Sequence, residues 1–281
     1  MLTLLAYSLY RENHKDILTP ATAVETFHNF TLMHDDIMDD APLRRGKASV
    51  HEKWNPNTAI LSGDVMLVRA YDMLSEVSPD KLALCLKYFN QTAAEVCEGQ
   101  QLDMNFEARE YVKEEEYLEM IRLKTAVLLG FSLQYGAILA DADAEDAQML
   151  YDFGVNIGLG FQLKDDLLDV YADKAKFGKQ IGGDIISNKK TYLLIKAKEI
   201  ATGEEAESLQ YWNEAKEFDK EEKIRSMTLL FNRLGIKELT ESKMEAYFET
   251  GFQQLSKLHI ANKEALQVLK FLAYDLISRE N

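Results

Sequence analysis

HDDIMDDAPLRRGKASVH, residues 34–51, is the stretch on which the reading of this chain turns. It sets Asp35, Asp36 and Asp39 just ahead of Arg44 and Arg45. On a helix Asp35 and Asp39 share a face, because side chains four apart are neighbours. Carboxylates crowded on one face repel each other, so the pattern calls for a cation between them. Hard divalent ions such as Mg²⁺ take oxygen ligands and share them with substrate phosphates. The arginine pair suits those phosphates, whose oxygens match the guanidinium fork. One such cluster is more often a solvated helix end than a site. This chain has two. FQLKDDLLD repeats the spacing with Asp165, Asp166 and Asp169, and Lys179 and Lys189 follow. Two copies, each trailed by cations, point to a diphosphate held through metal.

These motifs resemble those of the trans-polyprenyl diphosphate synthases, in the isoprenoid synthase family. DDIMDDAPLRRGKASVH is similar to the family's first aspartate-rich motif and FQLKDDLLDVYADKAKFGKQIGGD to its second. LSGD (Leu61 to Asp64), EGQQLD (Glu98 to Asp103) and LKTA (Leu123 to Ala126) resemble family blocks lying between them, in the family's order. The similarity runs from the first residue to near the last.

The resemblance implies an all-α fold, a helical bundle around a central cavity. It implies a short-chain prenyltransferase that condenses an allylic diphosphate with isopentenyl diphosphate to give farnesyl or geranylgeranyl diphosphate. Asp35, Asp36, Asp39, Asp165, Asp166 and Asp169 would hold several Mg²⁺ ions. Arg44, Lys124 and Lys179 would clamp the allylic diphosphate, with Lys189 a further substrate contact. Oxygens of Thr125 and Gln162 would line the position of the allylic cation. His28 and Arg45 match family residues that bind isopentenyl diphosphate. Asp40 lies beyond the motif and reads as solvated or set behind the ligands. A homodimer is implied as well; Leu82, Leu86, Phe89 and Val96 give the helix around Cys85 to Cys97 apolar residues on more than one face, which a monomer covers poorly.

The product would grow from the first motif back along its helix. Phe30 and Thr31, about one turn before Asp35, and Phe27 deeper, therefore form the expected pocket floor. A ring at Phe30 stops a chain early while Thr31 leaves a gap beside it, so farnesyl (C15) is expected first and geranylgeranyl (C20) second.

Two features depart from the family pattern. Its Gly-Lys-x-x-Arg-Pro block normally lies just upstream of a segment like MLTLLAYSLY, with which this sequence begins, and Ala48 stands where the family has proline after RRGK. The first departure implies either that the sequence starts short of its native beginning or that isopentenyl diphosphate binds poorly. It also keeps open a catalytically impaired or non-catalytic partner subunit of a heteromeric synthase. A terpene cyclase shares the fold, but the repeated DDxxD and the RRG count against it.

Composition bounds the alternatives. Against 32 basic residues stand 47 acidic ones, a formal charge of -15, which excludes the basic face that nucleic-acid partners need. No CxxC occurs, and Cys85 and Cys97 read as reduced core or interface thiols of a cytoplasmic protein. The most apolar run, Thr125 to Ala140, is shorter than the roughly 20 residues of a membrane span.

Hydrophobic periodicity is helical nearly throughout, and residues 1–281 read as a single domain with no strand pattern. Thr19 and Pro20 read as an N-cap and first helical residue, Asn57 as a cap for a helix through Leu74, and Ser78-Pro79 as the next start. Further helices are expected over Glu114 to Ala140 and from Asp143 to Tyr171. RRGKASVHEKWNPN and Phe177 to Asp184 read as loops. Gly154, Gly158 and Gly160 fall inside a helix, at about 1 kcal/mol each against alanine. Close approach of a neighbouring helix or of substrate would justify them.

Overall fold

The structure, a computed structural model, describes residues 1–172 and 182–278. In chain order the helices are α1 (Leu2–Ser8), α2 (Leu18–Met38), α3 (Val50–Lys53), α4 (Pro56–Leu74), α5 (Pro79–Glu107), α6 (Glu114–Ile121), α7 (Val127–Leu139), α8 (Ala144–Tyr171), α9 (Gly183–Ser187), α10 (Tyr192–Ile200), α11 (Glu204–Glu214), α12 (Lys220–Arg233), α13 (Ile236–Leu255) and α14 (Lys263–Ser278). The all-α expectation holds, and no described helix is long and apolar enough to cross a membrane.

Several local expectations need correction. A 3₁₀ turn at Lys15–Ile17 leads into α2, so Thr19 and Pro20 sit inside its first turn. Proline is tolerated there because the first helical N–H groups have no partner inside the helix. Asn55, not Asn57, caps α4: its side chain accepts from Thr58 N at 2.8 Å, with Pro56 at the first helical position. The segment expected as a loop after Asp40 holds a two-residue hairpin and α3, with Leu43 opposite Ala48 and Arg44 opposite Lys47. Its turn is Arg45-Gly46, with φ of 51° and 74°. Positive φ at both central residues is what a tight hairpin with the strands' twist requires. The glycine-rich loop gives way to helix by Gly183; its residues 177–181 lie outside the described residues.

The chain forms two compact units. Unit 1 comprises Met1–Ala94, Leu128–Tyr151 and Leu258–Leu269. Its core is a run of aromatic rings. Phe30 meets Phe27 at 5.6 Å, Phe27 meets Phe89 edge-on at 5.1 Å, Phe89 meets Phe131 at 5.8 Å, and Phe131 stacks on Tyr135. Each fully buried Phe contributes roughly 1.5–3 kcal/mol. Phe89 and Val96 are thus inside the chain rather than on a spare face. The uncovered apolar stripe lies instead on α4, where Leu61, Val65 and Val68 stand 60–66% exposed at helical spacing.

Unit 2 comprises Glu95–Val127, Asp152–Lys257 and Lys270–Asn281. Here the expected helix from Glu114 is broken in character. Arg122–Ala126 is a π-helical turn joining α6 to α7. Such turns insert one extra residue and recur at functional sites. Two glycines make room for it: a Cβ on Gly99 would meet Lys124 N at 2.2 Å, and one on Gly158 would meet Ala126 Cα at 2.6 Å. The close approach that helical glycines implied is real, for Gly158 against this turn and for Gly160 against Phe248.

Candidate active site

In unit 1 the first motif ends α2. Asp36 is buried, 4% exposed, and Asp35 is half-buried beside it. Arg44, delivered by the hairpin, donates from Nε to Asp36 Oδ1 at 2.8 Å and from a terminal nitrogen to Asp35 Oδ2 at 3.2 Å. Although partial burial works against its charge, these bonds hold Arg44 more firmly protonated. Asp39 is the exposed C-terminal cap residue of α2. Asp40 follows with φ of 49°, and the bond from Ala41 N to Asp36 O closes the helix end in the manner usually reserved for glycine. Arg45 is exposed at the hairpin tip. Burial pushes the pKa of the His28 imidazole down, and against an opposing pull from Glu25 so do the charges of Arg45 and Arg44. One turn back, Phe30 lies edge-on to His34 at 4.7 Å and Thr31 Oγ1 donates to His28 O.

In unit 2 the second motif lies in the last two turns of α8. Asp166 is buried, and its Oδ2 accepts from Tyr117 Oη at 2.6 Å and from Tyr192 N at 3.2 Å. Burial, then repulsion from Asp184, pushes its carboxyl up to about 8. The same two causes push Asp169 up to about 6. Asp169 also caps α9 by accepting from Asp184 N at 3.0 Å. Asp184 itself is raised by burial, against a compensating pull from Lys189. Lys124, on the π turn, donates to Asp103 Oδ2 at 2.7 Å. Thr125 follows it on the same turn, half-buried, and half-buried Gln162 lies on α8 one turn before Asp166. Lys179 lies outside the described residues.

Asp103 and Asp184 are functional candidates to which the sequence reading gave no role. Both stand in quoted blocks, EGQQLD and IGGD, yet only folding reveals that one holds Lys124 and the other charges the second motif. The donor set suits a hard cation. Burial first, then the charge of Asp184 on Asp166 and Asp169 and of Asp103 on Asp184, makes all three acids resist ionisation, which is the electrostatic setting a divalent ion relieves.

Comparison with known proteins shows the family. The polyprenyl synthetase family profile matches residues 1–230. Geranylgeranyl diphosphate synthase of Methanosarcina mazei is 38% identical over 281 residues, covering 99% of this chain and 83% of that protein. Geranylgeranyl pyrophosphate synthase of Geoglobus acetivorans is 43% identical over 201 residues; the match spans 71% of this chain but only 63% of the relative's length. Among solved structures, a geranylgeranyl pyrophosphate synthase superposes with a TM-score of 0.92 at 44% identity, over 100% of this chain and 86% of the other. The chain belongs to the polyprenyl synthetase family, and its fold is the isoprenoid synthase helical bundle.

Proposed function

We propose that the chain is a short-chain prenyl diphosphate synthase, with residues 1–281 acting as one catalytic domain that joins an allylic diphosphate to isopentenyl diphosphate. The observation that carries this is the paired aspartate motif, each copy built with a buried middle acid and accompanied by cationic side chains. Asp35, Asp36 and Asp39, with Asp165, Asp166 and Asp169, would hold Mg²⁺, which neutralises diphosphate charge and eases C–O ionisation. Arg44, Lys124, Lys179 and Lys189 bind the diphosphate oxygens and fix its orientation. His28 and Arg45 bind the second diphosphate, that of isopentenyl diphosphate. When the C1–O bond breaks, its electron pair leaves with diphosphate, and fixed cations stabilise that charge best where water is excluded. The oxygens of Thr125 and Gln162 face the allylic cation without attacking it. The isopentenyl double bond supplies the new C–C bond, and a proton departs to the released diphosphate. No side-chain nucleophile is required.

A C20 product now stands ahead of C15. The relatives named above are geranylgeranyl synthases, and only one of the adjacent positions Phe30 and Thr31 carries a ring. Free Cys85 and Cys97 suit a reducing cytoplasm. The homodimer is supported by the bare α4 stripe of Leu61, Val65 and Val68. Val65→Glu is expected to halve the molecular mass measured by light scattering, and an unchanged mass would remove α4 from any interface.

The test of the function is incubation with Mg²⁺, isopentenyl diphosphate and dimethylallyl, geranyl or farnesyl diphosphate, with chromatography of the products. Elongation to C20 is expected. Failure with all three primers would favour a non-catalytic partner subunit.

A further inference from the structure

We propose that Asp40, His51 and Glu52 form a site for a first-row divalent cation of the Zn²⁺ type, distinct from both aspartate motifs, and that this ion pins the arginine hairpin. One imidazole nitrogen and one oxygen from each acid lie within 4.8 Å of one another. Among the described residues this is the one such group of three; neither aspartate trio is drawn so close. Two exposed acids beside a histidine would carry nothing alone. His51 changes that. It is only 7% exposed, and neither of its ring nitrogens has a hydrogen-bond partner. A buried polar group left so costs on the order of 1–3 kcal/mol, and native folds seldom leave one without a reason.

The geometry supplies the reason. His51 Nε2 stands 3.7 Å from Glu52 Oε1, too far for a hydrogen bond but close to the spacing of two ligands on one ion. Ligands at the roughly 2.1 Å of a tetrahedral zinc site sit about 3.4 Å apart. Exposed Asp40 and Glu52 can close the remaining gap by rotating, while burial holds the imidazole still. Asp40 reaches this place from a left-handed backbone at the end of α2. A donor set of one nitrogen and two carboxylates favours Zn²⁺, Co²⁺ or Mn²⁺ over Mg²⁺, which prefers oxygen and keeps its water. The consequence is local. Asp40 precedes the hairpin and His51 and Glu52 follow it, so an ion joining them closes the loop that carries Arg44 and Arg45.

The experiment is a Co²⁺ titration of the full chelator-stripped chain, read by ligand-field absorption in the visible. One Co²⁺ per chain is expected to resist excess Mg²⁺, to yield to Zn²⁺ and to raise Tm. Asp40→Asn and Glu52→Gln change exposed side chains, so the fold is expected to survive, and each should weaken Co²⁺ binding at least tenfold. His51→Gln should abolish it, and if that variant misfolds by circular dichroism the two exposed variants decide. A double variant, Asp35→Asn with Asp165→Asn, should retain the band. The proposal is overturned if no Mg²⁺-resistant equivalent binds, if Asp40→Asn and Glu52→Gln bind as the parent does, or if the double variant loses the band.

Discussion

The two aspartate motifs share a spacing but not a way of living with their charge. In the first, Arg44 sits on Asp36 and Asp35, so a cation from the chain itself balances the acids. In the second, the buried middle acid is met by a neutral hydroxyl and an amide, and Asp184 adds charge rather than removing it. Lys189 offsets part of this, yet Asp166 and Asp169 stay well above the usual carboxylate range. The first motif's acids are therefore balanced in part by the chain itself, whereas the second's would gain more from a divalent ion. The same five-residue pattern gives different chemistry because the partners come from elsewhere in the chain.

The largest expected effect treats the motifs alike in activity and apart in stability. Asp35→Ala and Asp165→Ala should each lower kcat by about a thousandfold or more, because charge stabilisation at the breaking C–O bond is lost. The stability effects should diverge. In the second motif Asp166→Asn removes the charge that burial and Asp184 disfavour and should raise Tm at pH 8, whereas Asp35→Ala removes one of the acids that hold Arg44 and should not. Calorimetry beside steady-state rates checks both, and near-normal turnover in either alanine variant would break the metal assignment.

Gly99→Ala should come next, and it touches only the second unit. Its Cβ would fall 2.2 Å from Lys124 N, where backbone cannot give way cheaply. A destabilisation of about 1–3 kcal/mol is expected from the overpacking. Displacing Lys124 by even 1 Å should cost about a hundredfold in kcat/KM. Denaturant melts and rates read the two separately. A silent substitution would mean that the π turn does not place Lys124.

The pH response is smaller and tests the contrast directly. Asp166 and Asp169 have folded pKa values raised to about 8 and about 6. Their contribution to stability is therefore full below about pH 4, the unfolded range, and is lost as pH rises through the folded values. The metal-free chain should lose Tm between pH 5 and 8, and Mg²⁺ should restore more at pH 8 than at pH 5. Asp166→Asn should flatten the metal-free slope. Thermal melts across pH with and without Mg²⁺ measure this.

How much of this was legible in the sequence follows from range. The helices, the motifs and the helical glycines are written in local periodicity and spacing, so α5, α8 and both DDxxD runs fall where expected. What escaped needed tertiary partners or backbone detail. The π turn looks like ordinary helix in the LKTA block, since one extra residue leaves the apolar pattern nearly unchanged. Asp103 and Asp184 are acids among many until folding sets them against Lys124 and Asp166. Val96 reads as surface only because its helix buries more than one face. The Arg45-Gly46 hairpin was hidden by its length: two residues per strand show no alternation.

The smallest effect on rate sits on the first motif's helix alone. Phe30 is 8% exposed and packs between His34 and Phe27, and Phe27 is braced by Phe89 from α5. If these rings form the product floor, it is a ladder shared by two helices, and removing Phe30 leaves Phe27 and Phe89 standing one turn deeper. Phe30→Ala should lengthen the product by about one five-carbon unit rather than open the pocket without limit, since one helical turn is about 5.4 Å. The aspartates and Arg44 keep their places, so the first condensation should keep its rate within a few-fold. Phe27→Ala added to Phe30→Ala should lengthen it again, at a stability cost of about 3–5 kcal/mol for the larger cavity. Product chromatography decides: an unchanged distribution in Phe30→Ala would show that the ring serves only the core.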